Sequence, residues 1–376
     1  MTTHFDVIII GGGLAGCSAG MLLGRKGLKV LIIEKNGLPA HKVCGEFLSP
    51  GIWPQLDSLG LREKILAQKG SSIEEAVFYF PRSKELSFQL PRFQGLTGYG
   101  LSRKKLDWIF FNQARENGCR ALDNCEAQKI SQNRSGFTVE AFDRKQNSSH
   151  VYYASQVFNA AGKLNQWKET PQKSENKTKI GFKAHFKNLK RSNKIRLYFF
   201  KGGYLGTAPI EDGLTNLCGL VDSNTLKQAN GSFDLLLNET GRENAALKDF
   251  LREASPAMPW MSCPVHEGFQ SSKRTAPLSL GDAACFLEPF MGQGMTYAVA
   301  SGFLLSHLFS SKAADFQALK QLYQSKSLFG ASMENFLFWI SRHSTLISLI
   351  QPARLLLQPI INRTCAAPKS PPGPQL

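Results

Sequence analysis

The sequence predicts an α/β chain: a Rossmann-type dinucleotide-binding layer interleaved with an antiparallel-sheet substrate domain and closed by a C-terminal helical segment. Three stretches carry this expectation. Asp6 to Glu34 reads as strand, glycine turn, helix and strand; residues 74 to 90 and 179 to 221 alternate as strands; Phe329 to Ile361 is strongly apolar with helical spacing.

In the first stretch, Val7 to Ile10 is a continuous apolar run, and Gly11, Gly13 and Gly16 form G-x-G-x-x-G ahead of a small-residue helical pattern. Gly11 is expected to make the tight turn, Gly13 to let the backbone approach a pyrophosphate, and Gly16 to bring the helix close to the strand. Leu14 and Ala15 open the helix, whose free N–H groups and dipole favour phosphate. Glu34 ends the second strand, 18 positions after Gly16, where a carboxylate accepts from ribose hydroxyls and repels a 2′-phosphate. Lys35 follows it. A glycine-rich structural turn in another doubly wound fold is the alternative.

A hydrophobic content of 42% and a charged content of 20% describe an ordinary globular chain, whereas a net charge of +16 asks for an explanation. Basic excess suits nucleic acid, an anionic surface, an acidic substrate or merely a solvated face. With no zinc-finger spacing and no basic helix repeat, no nucleic-acid partner is expected. The eight cysteines are scattered, with no C-x-x-C and no cluster with histidines, so free thiols, a reducing compartment and no metal site are expected. The first strand starts almost at once, leaving no room for a targeting segment, and no apolar run reaches the roughly 18 residues of a membrane span. Cytoplasmic location is the expectation.

Further along, residues 38 to 51 read as a long loop carrying Cys44 and Gly45 off the carboxyl end of the second strand. Strands flank a turn at Pro81 to Lys84, and a helix with Leu106, Ile109, Phe110 and Ala114 in register starts near Arg103 and stops at Gly118. A cation at a helix start opposes the dipole, so Arg103 has either an anionic partner or solvent. Residues 126 to 160 read as a three-stranded meander returning to the parallel sheet and ending at Ala160-Ala161-Gly162-Lys163. From Lys179 to Val221 the strands GFKAHF, KIRLYFF and TNLCGLV surround a turn-rich GGYLGTAPIEDG, and residues 233 to 254 read as one amphipathic helix. A second glycine cluster, Gly281 to Met295, follows a short strand and feeds a helix over Thr296 to Phe309, with Asp282 just upstream. In the C-terminal segment Pro352 and Pro359 are expected to break the helix. A buried cap and a peripheral membrane contact, helped by Arg342, His343, Arg354 and Arg363, are both open there.

The expected division is 1–70, 98–165 and 271–312 for the nucleotide-binding part, 71–97 and 166–270 for the substrate sheet, 313–365 for the C-terminal helices and 366–376 for a disordered tail.

The motifs GGGLAG with Glu34, KVCGEF at 42 to 47, LSRKKLD at 101 to 107, AAGK at 160 to 163 and GDAACFLEPFMGQGM at 281 to 295 stand in the order of a known family. Together they resemble the FAD-dependent oxidoreductases of the aromatic-hydroxylase (PHBH-like) fold, in the geranylgeranyl reductase-like branch. The resemblance implies FAD in an extended pose: Gly11, Gly13 and Gly16 at the pyrophosphate, Glu34 at the adenosine ribose, Arg103 at the adenine-side phosphate or ribose region, with Leu14, Ala15 and Lys35 in the same cofactor-binding set. Gly162 belongs to the same cofactor-binding set, Asp282 to the ribityl chain, and Gly292, Gly294 and Met295 to the flavin's pyrimidine edge. It also implies a cysteine, here Cys44, on the loop facing the substrate, positioning substrate or donating a proton, with packing as the alternative and Glu46 as a second acid. Tyr204 and Pro209 keep the first aromatic and the proline of a lipid-reductase substrate motif whose Trp and Phe are here Gly206 and Ala208, which widens the pocket.

The activity implied is reduction or dehydrogenation of a carbon–carbon bond in an apolar, polyketide- or isoprenoid-like small molecule, with hydride passing through flavin N5. A monooxygenase of the same fold is the alternative, although Ala161 replaces the usual mid-chain Asp; a halogenase is a more remote one, lacking its Trp-x-Trp-x-Ile-Pro signature; a non-catalytic nucleotide-binding or redox-sensing protein stands outside both. No second G-x-G-x-x-G occurs, so NAD(P)H is expected only as a transient reductant.

Overall fold

The computed structural model describes residues 3–81, 85–163, 179–190, 192–270, 277–310, 316–342, 354–366 and 368. The expected tight turn at residues 82–84, the break at Pro352, His343 and all of the tail beyond 366 except Pro368 lie outside the described residues.

Val7 to Ile10 and Val30 to Ile33 are apolar without interruption because both faces of their sheet are covered. His4–Ile10 pairs in parallel with Val30–Ile33 on one side and with Ser148–Asn159 on the other. The sheet runs in the order Arg120–Leu122, Val30–Ile33, His4–Ile10, Ser148–Asn159, Gly136–Asp143, Cys125–Asn133, and Leu278–Ser279 joins Ser148–Asn159 in parallel. The meander returns to the parallel sheet as expected. Helix Leu14–Gly24 packs on this sheet together with Arg103–Glu116, a helix capped by Ser102 and closed by Gly118 at φ 85.

The second sheet is ordered Ser255–Pro256, Lys179–Lys187, Thr215–Asp222, Gly203–Pro209, Lys194–Phe200, Glu75–Tyr79, Leu86–Gln89. It is antiparallel except where Lys194–Phe200 runs parallel to Glu75–Tyr79. Three expectations are corrected in this half. The turn-rich stretch holds a full strand, Gly203–Pro209, paired on both sides. Gly203 marks close approach, since a Cβ there would lie 2.4 Å from the Leu220 carbonyl oxygen, while Gly202 and Gly213, at φ 85 and 70, make the turns at either end. The single helix over 233 to 254 is two, Phe233–Glu243 and Ala245–Glu253, because Asn244 turns extended and its side chain caps the second helix at Leu247. The loop over 38 to 51 contains the short strand Phe47–Leu48, which pairs with Gly98–Gly100.

At the C-terminus, Phe316–Arg342 is one long helix and Arg354–Cys365 a second. Pro359 lies inside the latter and does not end it. Tertiary anchoring overrides the proline: the Gln358 amide donates to the Gln89 carbonyl at 2.6 Å and accepts from the Gln89 N–H at 3.2 Å, covering the edge strand. Among the described residues no helix is long and apolar enough to cross a membrane.

Candidate functional site: a glycine cradle and a buried ion-pair cluster

The glycine turn is built by backbone contact. Gly11 has φ 114, and a Cβ there would lie 2.2 Å from the Ala160 carbonyl oxygen; one on Gly16 would lie 2.0 Å from the Gly11 carbonyl oxygen. Both positions therefore exclude any side chain. Gly13 differs, since its Cβ would meet only the Lys42 ammonium, 3.8 Å away. Gly13 is also the N-cap of helix Leu14–Gly24, with no side-chain cap bond, so the first N–H groups, including those of Leu14 and Ala15, remain for an anion. Buried Glu34 stands beside this turn: one oxygen accepts from the Gly12 N–H at 2.8 Å and the other from the Asn36 N–H at 2.9 Å. Each oxygen keeps acceptor capacity for a further donor. Lys35 is exposed.

The second glycine cluster closes on the first. A Cβ on Gly281 would lie 2.9 Å from that of Ala15, and one on Gly302 would lie 2.7 Å from the Ala19 nitrogen, so helices Leu14–Gly24 and Gly294–Ser310 cross at van der Waals distance. Asp282 sits in the turn Gly281–Ala283. Gly292, at φ 64, follows the turn Pro289–Met291 with the Phe47 ring against it, and Met295 is buried. Gly294, at the helix start, and Gly162, at φ 73, have nothing within 4 Å of a would-be Cβ. The three glycine-bearing motifs thus border one open cradle, and the helix that begins at Arg103 reaches it through Phe111, 2.9 Å from a Cβ on Gly12.

Arg103 has an anionic partner inside the protein. Its guanidinium grips fully buried Asp107 at 2.6 and 2.9 Å, and Lys42 adds a third contact to the same carboxylate at 2.8 Å. Burial opposes the Asp107 charge, but Arg103 and Lys42 outweigh it and hold the carboxyl below its usual value. One buried carboxylate thus carries two cations, and buried Glu34 is the next carboxylate beside Lys42. Sequence reasoning missed Lys42 and Asp107, although both lie within motifs it used.

Glu46 is not placed as an acid. It adopts φ 55 with no exposed surface, and its oxygens take the Lys183 ammonium at 2.5 Å, the Arg103 N–H at 2.7 Å and the His185 ring at 2.6 Å. Burial would raise its pKa, but the His185 hydrogen bond and the Lys183 charge lower it, so the group is a carboxylate. Lys183 and His185 were also missed; their i, i+2 spacing in the otherwise apolar GFKAHF places both on one strand face. The ligand atoms of His41, Glu46 and His185 lie within 4.8 Å of one another, a cluster the sequence did not suggest. The Lys183 ammonium already occupies the carboxylate, with Arg103 and Lys42 close by, and this positive surrounding opposes a dication.

Cys44 lies partly buried on the loop ahead of Glu46, and its carbonyl accepts from the Asn216 amide at 3.1 Å. Gly181, Gly206, Cys218, Leu220 and Tyr204 share one face of the second sheet with Lys183, His185 and Asn216; Gly181 meets the Cys44 loop, while Leu220 and Tyr204 pack with Leu337 of helix Phe316–Arg342. A Cβ on Gly181 would lie 3.4 Å from Val43. Tyr204 is buried and meets Phe290 edge to face, ring centroids 6.2 Å apart, next to the Pro289–Met291 turn. Pro209 does not share this place. It is five residues along the same strand, about 17 Å at the usual rise, with its carbonyl against Gly100.

Residues 4–155 match the family described as "FAD binding domain". The chain is 22% identical over 348 residues to tryptophan 2-halogenase of Chondromyces crocatus, covering 85% of this chain and 64% of the relative. It is 39% identical over 64 residues to squalene epoxidase erg1 of Schizosaccharomyces pombe, which covers 17% of this chain and 14% of that protein. The structure of the flavin-dependent brominase Bmp2 superposes with a TM-score of 0.79 at 20% identity, covering 96% of this chain and 93% of the other. A geranylgeranyl bacteriochlorophyll reductase-like protein from Thermoplasma acidophilum gives 0.71 at 18%, covering 98% and 94%. The open glycine cradle and the uncapped helix start fit the pyrophosphate-bearing cofactor this similarity implies. Residues 4–155 are thus similar to a FAD-binding domain, and the chain has the fold of a flavin-dependent brominase and a geranylgeranyl reductase-like protein.

Proposed function

We propose that this chain is a FAD-dependent oxidoreductase that reduces or dehydrogenates a carbon–carbon bond in an apolar, isoprenoid-like substrate. The observation that supports this reading is the small and apolar set Gly181, Gly206, Cys218, Leu220 and Tyr204 on one face of the second sheet, met at Gly181 by the loop that carries Cys44. Squalene and geranylgeranyl groups, in the names of two similar proteins, are both isoprenoid hydrocarbons.

Bound FAD would supply hydride transfer at its N5. The Gly13 turn, the start of helix Leu14–Gly24 and Lys42 would hold the pyrophosphate, and Glu34 the ribose. The helix start at Gly294 would favour negative charge on the ring. Cys44 would position the substrate or give a proton to carbon, while Glu46, ionised and clamped by Lys183 and His185, would hold the loop in place. NAD(P)H would visit only as reductant. Leu328, Phe336 and Trp339, exposed along the long C-terminal helix, would supply a peripheral membrane contact.

The test is anaerobic. FAD-loaded protein reduced with dithionite and mixed with geranylgeraniol is expected to reoxidise without oxygen and yield a product with two more hydrogens. A second reading, oxygen-consuming chemistry on the same substrate class, is favoured by the halogenase and epoxidase among the similar proteins. It would show as reoxidation only with oxygen, giving an oxygenated product or, with halide, a halogenated one.

A further inference from the structure

One cavity of about 360 Å³ lies between the second sheet and the long C-terminal helix, lined among others by Lys179, Tyr204, Asp222, Glu334, Asn335 and Trp339. Its charge runs against the rest of the molecule. The chain carries a net +16, yet two carboxylates, Asp222 and Glu334, line this cavity against one ammonium. That ammonium is already answered twice: Lys179 contacts Glu267 at 2.6 Å and Glu334 at 2.8 Å. Behind it stands Glu288, buried among Glu267, Glu334 and Lys179.

An unpartnered polar atom marks the same place. The hydroxyl of Tyr204, a buried residue, finds no hydrogen-bond partner of ordinary geometry, with only a loose approach by the Phe290 main chain. Glu267 and buried Glu288 also keep one unpartnered oxygen each, behind the lining rather than in it. A buried polar atom left unpaired costs free energy that a bound donor recovers. Two aromatic side chains, Tyr204 and Trp339, complete the lining, and aromatic faces attract cations.

We propose that this cavity receives the cationic end of an organic ligand, an ammonium attached to an apolar body. Acidic side chains would face the charge, Trp339 and Tyr204 would flank it, and the apolar body would run past Leu220 toward Phe290. That this ligand is the substrate rests on the flavoenzyme reading above; binding of the cation does not, and it is measured without turnover.

The experiment is calorimetric titration of FAD-loaded full-length protein with hexylammonium, hexyltrimethylammonium, hexanol and hexanoate. The expected result is saturable one-site binding of at least one ammonium compound, at least tenfold tighter than hexanol, and no binding of hexanoate. Glu334→Gln and, separately, Asp222→Asn are expected to weaken ammonium binding at least fivefold. Asp222→Asn keeps the test open should the loss of the Lys179 ion pair unfold the first variant, and flavin content reports folding in both. Equal binding of hexanol or hexanoate, competition by magnesium chloride at matched ionic strength, unchanged affinity in a folded variant, or no binding of either ammonium would each overturn the proposal. Absence of flavin-dependent turnover of the bound ammonium compound, with its binding intact, would overturn only the reading of that ligand as the substrate.

Discussion

Glu46 and Lys183 form a 2.5 Å ion pair in which neither side chain is exposed to solvent. It joins the Cys44 loop to the second sheet, where the same carboxylate also holds His185. Removing one partner of such a pair leaves an uncompensated buried charge, at a cost of about 3–5 kcal/mol. Lys183→Met is therefore expected to lower unfolding stability by that amount in urea titration, and Glu46→Gln combined with Lys183→Met to recover part of it. A loss below about 1 kcal/mol in the single variant, the level of an exposed pair, would contradict this. The pH sign follows from the lowered Glu46 pKa. Its contribution is full above the ordinary value of 4.5 and is lost as pH falls through the lower folded value. Acid should thus destabilise wild type more than Glu46→Gln over that window.

The glycines of the first turn should separate by variant. Gly16→Ala would drive a Cβ to 2.0 Å from a backbone oxygen, so loss of folded protein is expected. Gly13→Ala meets only the Lys42 ammonium, at 3.8 Å, and should fold with wild-type circular dichroism while binding FAD at least tenfold more weakly. Equal flavin affinity in a folded Gly13→Ala protein would show that the pyrophosphate lies elsewhere.

Cys44→Ser should leave flavin content unchanged and slow turnover tenfold or more, about 1.4 kcal/mol in barrier. Wild-type turnover would reduce Cys44 to packing.

Glu288 is pushed up to about 7, chiefly by burial, with the charges of Glu267 and Glu334 adding to it. The folded state then holds a proton that the unfolded chain releases near the ordinary 4.5, so stability should fall as pH rises between those values. Glu288→Gln is expected to flatten this dependence and to be the more stable protein at pH 8. Thermal melts at several pH values decide it, and parallel profiles for the two proteins would contradict the assignment.

The nucleotide half was legible because its signals are local. Gly11 and Gly16 exclude side chains for reasons set by the strand and helix they join, and Val7 to Ile10 reads as a strand covered on both faces. The ion-pair cluster was less legible because its contacts are long-range. Nothing near Glu46 in sequence announces Lys183 or His185, which arrive from a strand more than a hundred positions away, and Arg103 finds Asp107 one helical turn along, a spacing within reach of sequence reasoning. The strand Gly203–Pro209 was obscured by its glycines, and the close approach that Gly203 makes to the Leu220 strand exists only once the sheet is assembled. Asn244 and Pro359 show the same limit from opposite sides: one breaks a periodic helix, the other sits within a helix anchored by tertiary contacts.

The most direct test is calorimetric titration of the full-length, flavin-free protein with FAD, run beside Gly13→Ala. One FAD per chain, bound saturably and weakened at least tenfold in the variant, is the predicted result. A folded protein that takes up no FAD, or takes it up equally with and without the substitution, would contradict the account.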